Sequence, residues 1–124
     1  MHLLPALASI SLAISVACGA FGAHALRGIL SPSDLAIWDK AVLYQMLHSL
    51  GALVITLNTN LVALQVSMRR IAWLLLASTV VFSGSLYLLV LLQTRWLGAI
   101  TPLGGLGFIV SWLLLALQLI KHRR

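Results

Sequence analysis

Four stretches of this 124-residue chain, 3–26, 41–57, 71–92 and 97–120, contain no aspartate, glutamate, lysine or arginine. At ~1.5 Å per residue, a 24-residue helix over 3–26 spans roughly 36 Å, enough to cross a hydrocarbon core of ~30 Å with some tilt. A soluble domain of this length could not bury a composition that is 61% hydrophobic and 8% charged, because small domains leave much of their surface in contact with solvent. A bilayer removes that difficulty. The shortest run, 41–57, is extended by Ser31-Pro32-Ser33-Asp34. A hydroxyl at the N-cap, proline at the first helical position and a carboxylate in the first turn form a helix start signal. The second helix is therefore read as 32–58, beginning at the membrane surface, with Trp38 as an interfacial anchor, and entering the hydrocarbon from about Ala41. Asn58, Thr59 and Asn60 mark the next turn, and 61–66 is read as a segment along the interface. Thr101-Pro102 either kinks the fourth span or starts it. The links are short and no repeat is evident. The expectation is a single all-α membrane domain over 1–124, a four-transmembrane-helix bundle with helices at about 3–26, 32–58, 71–92 and 97–120.

The formal net charge of +6 does not point to nucleic acid, because the basic residues form no stripe with interleaved aromatics. They flank the apolar runs. Arg69, Arg70, Lys121, Arg123 and Arg124 fall on one side of a four-span layout, and Arg27, Lys40 and Arg95 on the other. The positive-inside rule then puts both termini in the cytoplasm. Cys18 is the only cysteine, so neither an internal disulfide nor a thiolate metal cluster can form. The first span lacks the basic start and short apolar core of a signal peptide and is read as a retained helix.

Hydrocarbon does not drive helices together, so interfaces collect small and polar residues while Leu, Val and Ile face the tails. At 100° per residue, Ala41, Tyr44, Gln45, His48, Gly51, Ala52, Thr56 and Thr59 share one side of the second helix. In the first helix Ala8, Ser11, Ser15, Cys18, Gly19 and Gly22 form one face. A second stripe of Ala6, Ala13, Ala17, Ala20 and His24 lies opposite, which implies neighbours on two sides. Thr79, Ser83 and Tyr87 stack in the third, and Thr101, Gly104, Phe108, Ser111 and Gln118 in the fourth, with Gly105 and Gly107 flanking. Counted from the outer boundary, His24 lies ~3 Å in, Tyr44 ~4 Å, Thr101 ~6 Å and Tyr87 ~8 Å. His48 follows at ~10 Å, Gly105 at ~12 Å and Ser83 at ~14 Å. A polar cluster of His24, Tyr44, Gln45, His48, Ser83, Tyr87 and Thr101 is thus expected in the outer half. Gly19, Gly22, Gly51, Gly84, Gly104, Gly105 and Gly107 are expected to serve helix packing.

The segments Gly19-Ala20-Phe21-Gly22-Ala23-His24, Tyr44-Gln45 with His48, Phe82-Ser83-Gly84-Ser85-Leu86-Tyr87, and Thr101-Pro102 with Gly104-Gly105 occur in that order. Together they resemble the bacterial family called domain of unknown function four-two-three, itself similar to the animal family transmembrane protein two-five-six. The resemblance runs from the first helix through the fourth. It implies a small multi-pass protein of the bacterial cytoplasmic (inner) membrane, and brings no activity, cofactor or catalytic residue with it.

The spans hold no carboxylate or strong base at depth, which weighs against proton pumping and ion-coupled transport. Asp34 and Asp39 are the only acids; they fit capping of the second helix and balance of Lys40. His48 fits a neutral imidazole donating to a neighbouring helix, with a functional role as the alternative. Ser83-Gly84-Ser85 has no strand-turn-helix context and no base partner, so it reads as packing. Gly104-Gly105-Leu106-Gly107 follows no strand and is no nucleotide loop. No metal or cofactor is expected. A haem between His24 and His48 is the alternative, although their depths differ by ~7 Å. With no catalytic constellation evident, the first reading is an interaction or accessory protein. It would pack through Gly/Ser-rich faces, with membrane lipids and a homo-oligomer or larger complex as partners. The second is a small-molecule or lipid-binding protein or permease using the polar cluster.

Overall fold

The computed structural model describes residues 3–58 and 65–122. Four α-helices run α1 (Leu3–His24), α2 (Pro32–Leu57), α3 (Gln65–Leu92) and α4 (Thr101–His122), with a 3-10 turn, Arg95–Ala99, ahead of α4. Each of the four is long and apolar enough to cross a membrane. Thr59 and Asn60 of the expected turn and 61–64 of the expected interfacial segment lie outside the described residues, and 65 and 66 belong to α3.

The helix ends differ from the sequence reading for local reasons. The amides of Ala25 and Leu26 both bond to the Phe21 carbonyl, at 2.9 and 3.2 Å, which closes α1 at His24 instead of residue 26. Arg69 and Arg70 do not delay α3 to residue 71. Charge ends an apolar run, but Gln65-Val-Ser-Met-Arg-Arg70 contains no helix breaker, and Met68 is buried at 3% exposure. The fourth helix starts at Thr101, not 97. Residues 95–99 form the 3-10 turn instead, and Pro102 sits in the first turn, where its missing N–H costs nothing. At α2, Ser31 caps as expected, its Oγ accepting from the Asp34 amide at 3.2 Å.

Successive helices pack side by side, with α2 and α3 central, α1 against α2 and α4 against α3; α1 meets α3 only sparsely. Trp38 corrects the expected surface segment. It is 3% exposed, its Nε1 donates to the Cys18 carbonyl at 2.9 Å, and its ring lies 4.7 Å from that of Tyr87. An indole N–H in hydrocarbon needs an acceptor, and a helix carbonyl beside Gly22 supplies one without a Cβ in the way. Residues 32–40 are therefore part of the bundle. This moves α2 along the axis, and Gln45 and Ser49 come level with Ser11, near the middle of α1.

Two apolar clusters close the ends of the bundle. One, at the end where α1 begins and α4 ends, includes Leu4, Ile55, Ile71 and Leu75; the other gathers Leu26, Trp38, Leu89, Val90 and Leu97. On α1 the face with Ala8, Ser15 and Gly22 is buried, whereas Ala6, Ala13, Ala17, Ala20 and His24 all point outward. Within one chain, α1 has neighbours on one side only, contrary to the two-sided expectation.

Gly104 sets the α3–α4 distance. A Cβ there would stand 2.6 Å from the Phe82 amide nitrogen, a backbone atom that cannot swing aside. Gly107 likewise lies against Ser78. Gly104→Val should therefore destabilise the protein by about 1–3 kcal/mol through overpacking. Gly84→Ala, whose Cβ meets nothing within 4 Å, should leave the unfolding midpoint in detergent unchanged. Equal midpoints for Gly104→Val and wild type would contradict this packing.

Candidate functional site

Where α1 and α3 fail to close, a groove of about 440 Å³ runs down the side of the bundle. Its α1 wall is Leu7, Ile10, Ser11 and Ile14. The α3 wall extends from Trp73 to Tyr87, and Gln45 of α2 forms the floor. Fourteen residues of α3 correspond to roughly 21 Å along the axis. Ile10, Ile14, Trp73 and Val80 are also exposed on the outer surface, so the groove opens sideways.

The floor is a chain of hydrogen bonds. Gln45, 6% exposed, donates from Nε2 to the Ser11 carbonyl at 3.0 Å and to Ser11 Oγ at 3.3 Å. Its Oε1 accepts from the Tyr87 hydroxyl at 2.7 Å. Ser11 Oγ also pairs with Ser49 Oγ at 2.7 Å, and Ser83 Oγ donates to the Ala41 carbonyl at 2.7 Å. One amide thus joins α1, α2 and α3. Unsatisfied polar groups in hydrocarbon are costly, which gives each of these bonds a reason to exist.

The other members of the sequence cluster lie elsewhere. Tyr44 and His48 turn toward α4, away from the groove, in a stack with Phe82 and Phe108. The His48 and Phe108 ring centroids are 3.5 Å apart with planes 14° from parallel. His48 Nδ1 donates to the Tyr44 carbonyl of its own helix at 2.7 Å, rather than to a neighbouring helix as expected. Thr101 pairs with Ser85 at 2.7 Å and ties α3 to α4. His24 is exposed near the end of α1. The pairing of Ser11 with Ser49 puts His48 level with about residue 12, roughly 18 Å along the axis from His24. The two histidines do not face a shared site. Among the described residues, no three of His, Cys, Asp and Glu gather in one place.

The expected outer-half cluster is thus divided. Gln45, Ser83 and Tyr87 meet at the groove; Tyr44 and His48 form the stack; Thr101 belongs to the α3–α4 contact; His24 stands apart. Gln45 and His48 also lie nearer mid-bundle than their sequence depth implied, because Trp38 is inside. The reading from sequence omitted Ser11 and Thr79 from the cluster, although both sit on polar helix faces. Among the glycines, Gly22 packs against Trp38, Gly51 against Trp112, and Gly104 and Gly107 against α3. Gly19 and Gly105 are at ordinary contact distance, and Gly84 lines the groove.

At the end away from the termini, Asp34 is buried at 5% exposure. Arg95 Nη1 lies 3.0 Å from its Oδ1, off the hydrogen-bond axis, and Gln93 Nε2 donates to Oδ2 at 3.2 Å. The partner of Asp34 is therefore the α3–α4 link rather than Lys40. Gln93 has φ 52°, in the left-handed region unusual for a side chain, and a bond from its Nε2 to the Val90 carbonyl at 2.8 Å helps hold that turn. This is a structural clasp.

Removing one bond of the floor should cost little, and removing its hub more. Interhelical hydrogen bonds in bilayers average about 0.6 kcal/mol, so Tyr87→Phe should lose about that much. Gln45→Leu, which breaks both arms, should lose about 1–2 kcal/mol. Because the two share a bond, the double variant should lose less than the sum in a thermodynamic cycle measured in bicelles. Strict additivity would mean that Tyr87 and Gln45 are not coupled.

A family model described as Protein of unknown function (DUF423) matches residues 18–105. A UPF0382 membrane protein of Staphylococcus haemolyticus is 46% identical over 121 residues, covering 98% of each chain. A UPF0382 membrane protein of Staphylococcus epidermidis is 48% identical over 115 residues, covering 93% of each. The corresponding Bacillus subtilis protein is 40% identical over 116 residues and 94% of each. No solved structure matches the chain. The chain belongs to this family of membrane proteins, for which no biochemical activity is established.

Proposed function

We propose that this protein is a non-catalytic binding protein of the bacterial cytoplasmic membrane, and that the groove between α1 and α3 takes the hydrocarbon chain of a membrane amphiphile. The observation that carries this reading is the combination of largely apolar walls with a few neutral polar groups, Ser11, Gln45, Thr79, Ser83 and Tyr87. A cleft open to the bilayer meets lipid chains at very high local concentration. Ligand pockets of several hundred Å³ are typically apolar with a few placed polar groups, and this groove has that character. Absence of catalysis is supported by how the side chains are engaged. Ser83 donates to a helix carbonyl, and the His48 ring is stacked and bonded to Tyr44, so neither forms a nucleophile–base pair with the other. The distribution of Lys and Arg supports both termini being cytoplasmic.

A second reading, an accessory protein that docks a partner helix, is favoured by the outward Ala6, Ala13, Ala17 and Ala20 stripe of α1. It draws less from the glycines, since Gly22, Gly51, Gly104 and Gly107 are already occupied within the chain.

The test is lipid retention. Protein extracted in mild detergent and examined by native mass spectrometry should keep a bound amphiphile. Gly84→Leu, which projects a side chain into the open groove, should lose most of it while remaining folded. Undiminished retention in Gly84→Leu would overturn the groove as the binding site.

A further inference from the structure

Resting on the groove reading above, we infer that the groove prefers an amphiphile whose buried polar group is an alcohol hydroxyl over an otherwise equal ether or ester. The argument is an inventory of protons. The Tyr87 hydroxyl proton goes to Gln45 Oε1, that of Ser83 to the Ala41 carbonyl, and that of Thr79 to the Leu75 carbonyl at 2.9 Å. The Gln45 amide is directed at the Ser11 carbonyl and Oγ. Each of these three hydroxyl oxygens has given its only proton; Ser83 and Thr79 retain full capacity to accept, and Tyr87 shares its acceptor side with the neighbouring Cys18 thiol.

Ser49 is fully buried with Ser11 as its hydrogen-bond partner, so its proton is assigned to Ser11 Oγ, which leaves the Ser11 proton at the groove, where a ligand can take it up. Ser11 Oγ then accepts from both Ser49 and Gln45, and the proton of Ser11 is the single unspent hydroxyl proton at the floor. The indole of Trp73 is at the far end of the groove, about 21 Å along α3 from Tyr87. The floor therefore offers several acceptors against one donor. An ether or ester oxygen can answer only Ser11. A hydroxyl answers Ser11 and also donates to the Tyr87 oxygen, so it makes one bond more in a setting without competing water. One net hydrogen bond corresponds to about a tenfold difference in affinity.

The experiment uses the full chain in nanodiscs and displacement of a fluorescent alkyl probe by hexadecanol, hexadecyl methyl ether and methyl palmitate. Hexadecanol should compete about tenfold better than the other two, and Tyr87→Phe should preserve that preference, because it uncovers Gln45 Oε1 as an acceptor in place of the phenol oxygen. Equal competition by all three would overturn the hydroxyl preference and leave the groove reading standing. Stronger competition by the ether or ester would also overturn the preference. Binding of the alkyl probe that Gly84→Leu does not reduce would instead remove the groove reading, and this inference with it.

Discussion

Gln45 is the contact on which the middle of this bundle depends. A primary amide in hydrocarbon must find partners for both its carbonyl and its amino group, because no water is present to take either. Here the amino end is held by α1 at Ser11 and the carbonyl end by the α3 tyrosine, Tyr87. That single side chain therefore specifies the rotation of three helices at once. Apolar contacts are poor at this task, since a leucine face is as content against lipid as against another leucine.

Shape supplies what the polar contacts do not. The α3–α4 pair comes together because Gly104 and Gly107 remove Cβ atoms where α3 backbone and Ser78 would meet them. On the other flank, Gly22 admits the Trp38 indole, whose N–H then reaches the Cys18 carbonyl. The two flanks use different devices. Between α3 and α4 the approach is close along the helices, with the Ser85–Thr101 pair at one end. Between α1 and the rest, contact is concentrated on α2, and nothing comparable draws α1 onto α3.

The number of helices and their order were legible from hydrophobicity alone, because charge-free runs of this length have few alternatives. The start of α2 was equally legible, since Ser31-Pro32 carries its own local chemistry. Helix ends next to Arg69 and at Leu97 were not, because a hydropathy boundary and a backbone boundary are different physical events. Trp38 was misread for a related reason. An indole beside Asp34 and Lys40 satisfies the usual pattern of an interfacial anchor, and only the tertiary partner Gly22 reveals that it lies inside. The wheel gathered Ala41, Gln45, His48 and Ala52, all buried, on one face of α2, but it missed Val42, Ser49 and Ile55, and Thr59 lies outside the described residues. A wheel does not say which neighbour each residue meets, so it could not separate Gln45, which turns to α1 and α3, from Tyr44 and His48, which turn to Phe82 and Phe108.

That separation bears on what the bundle can do. His48 looked like the residue of greatest chemical promise, yet its Nδ1–H is spent on its own helix and its ring is covered by Phe108. Gln45 and Tyr87 carry no charge and attract less notice in a sequence, but they stand at the floor of an opening to the bilayer. An uncharged floor suits that location. A carboxylate or ammonium there would carry the heavy desolvation cost of a lone ion in hydrocarbon, whereas an amide and a phenol satisfy each other and still keep acceptor capacity at the surface of the groove. A groove lined by neutral hydrogen-bonding groups is suited to distinguishing uncharged molecules by donors and acceptors.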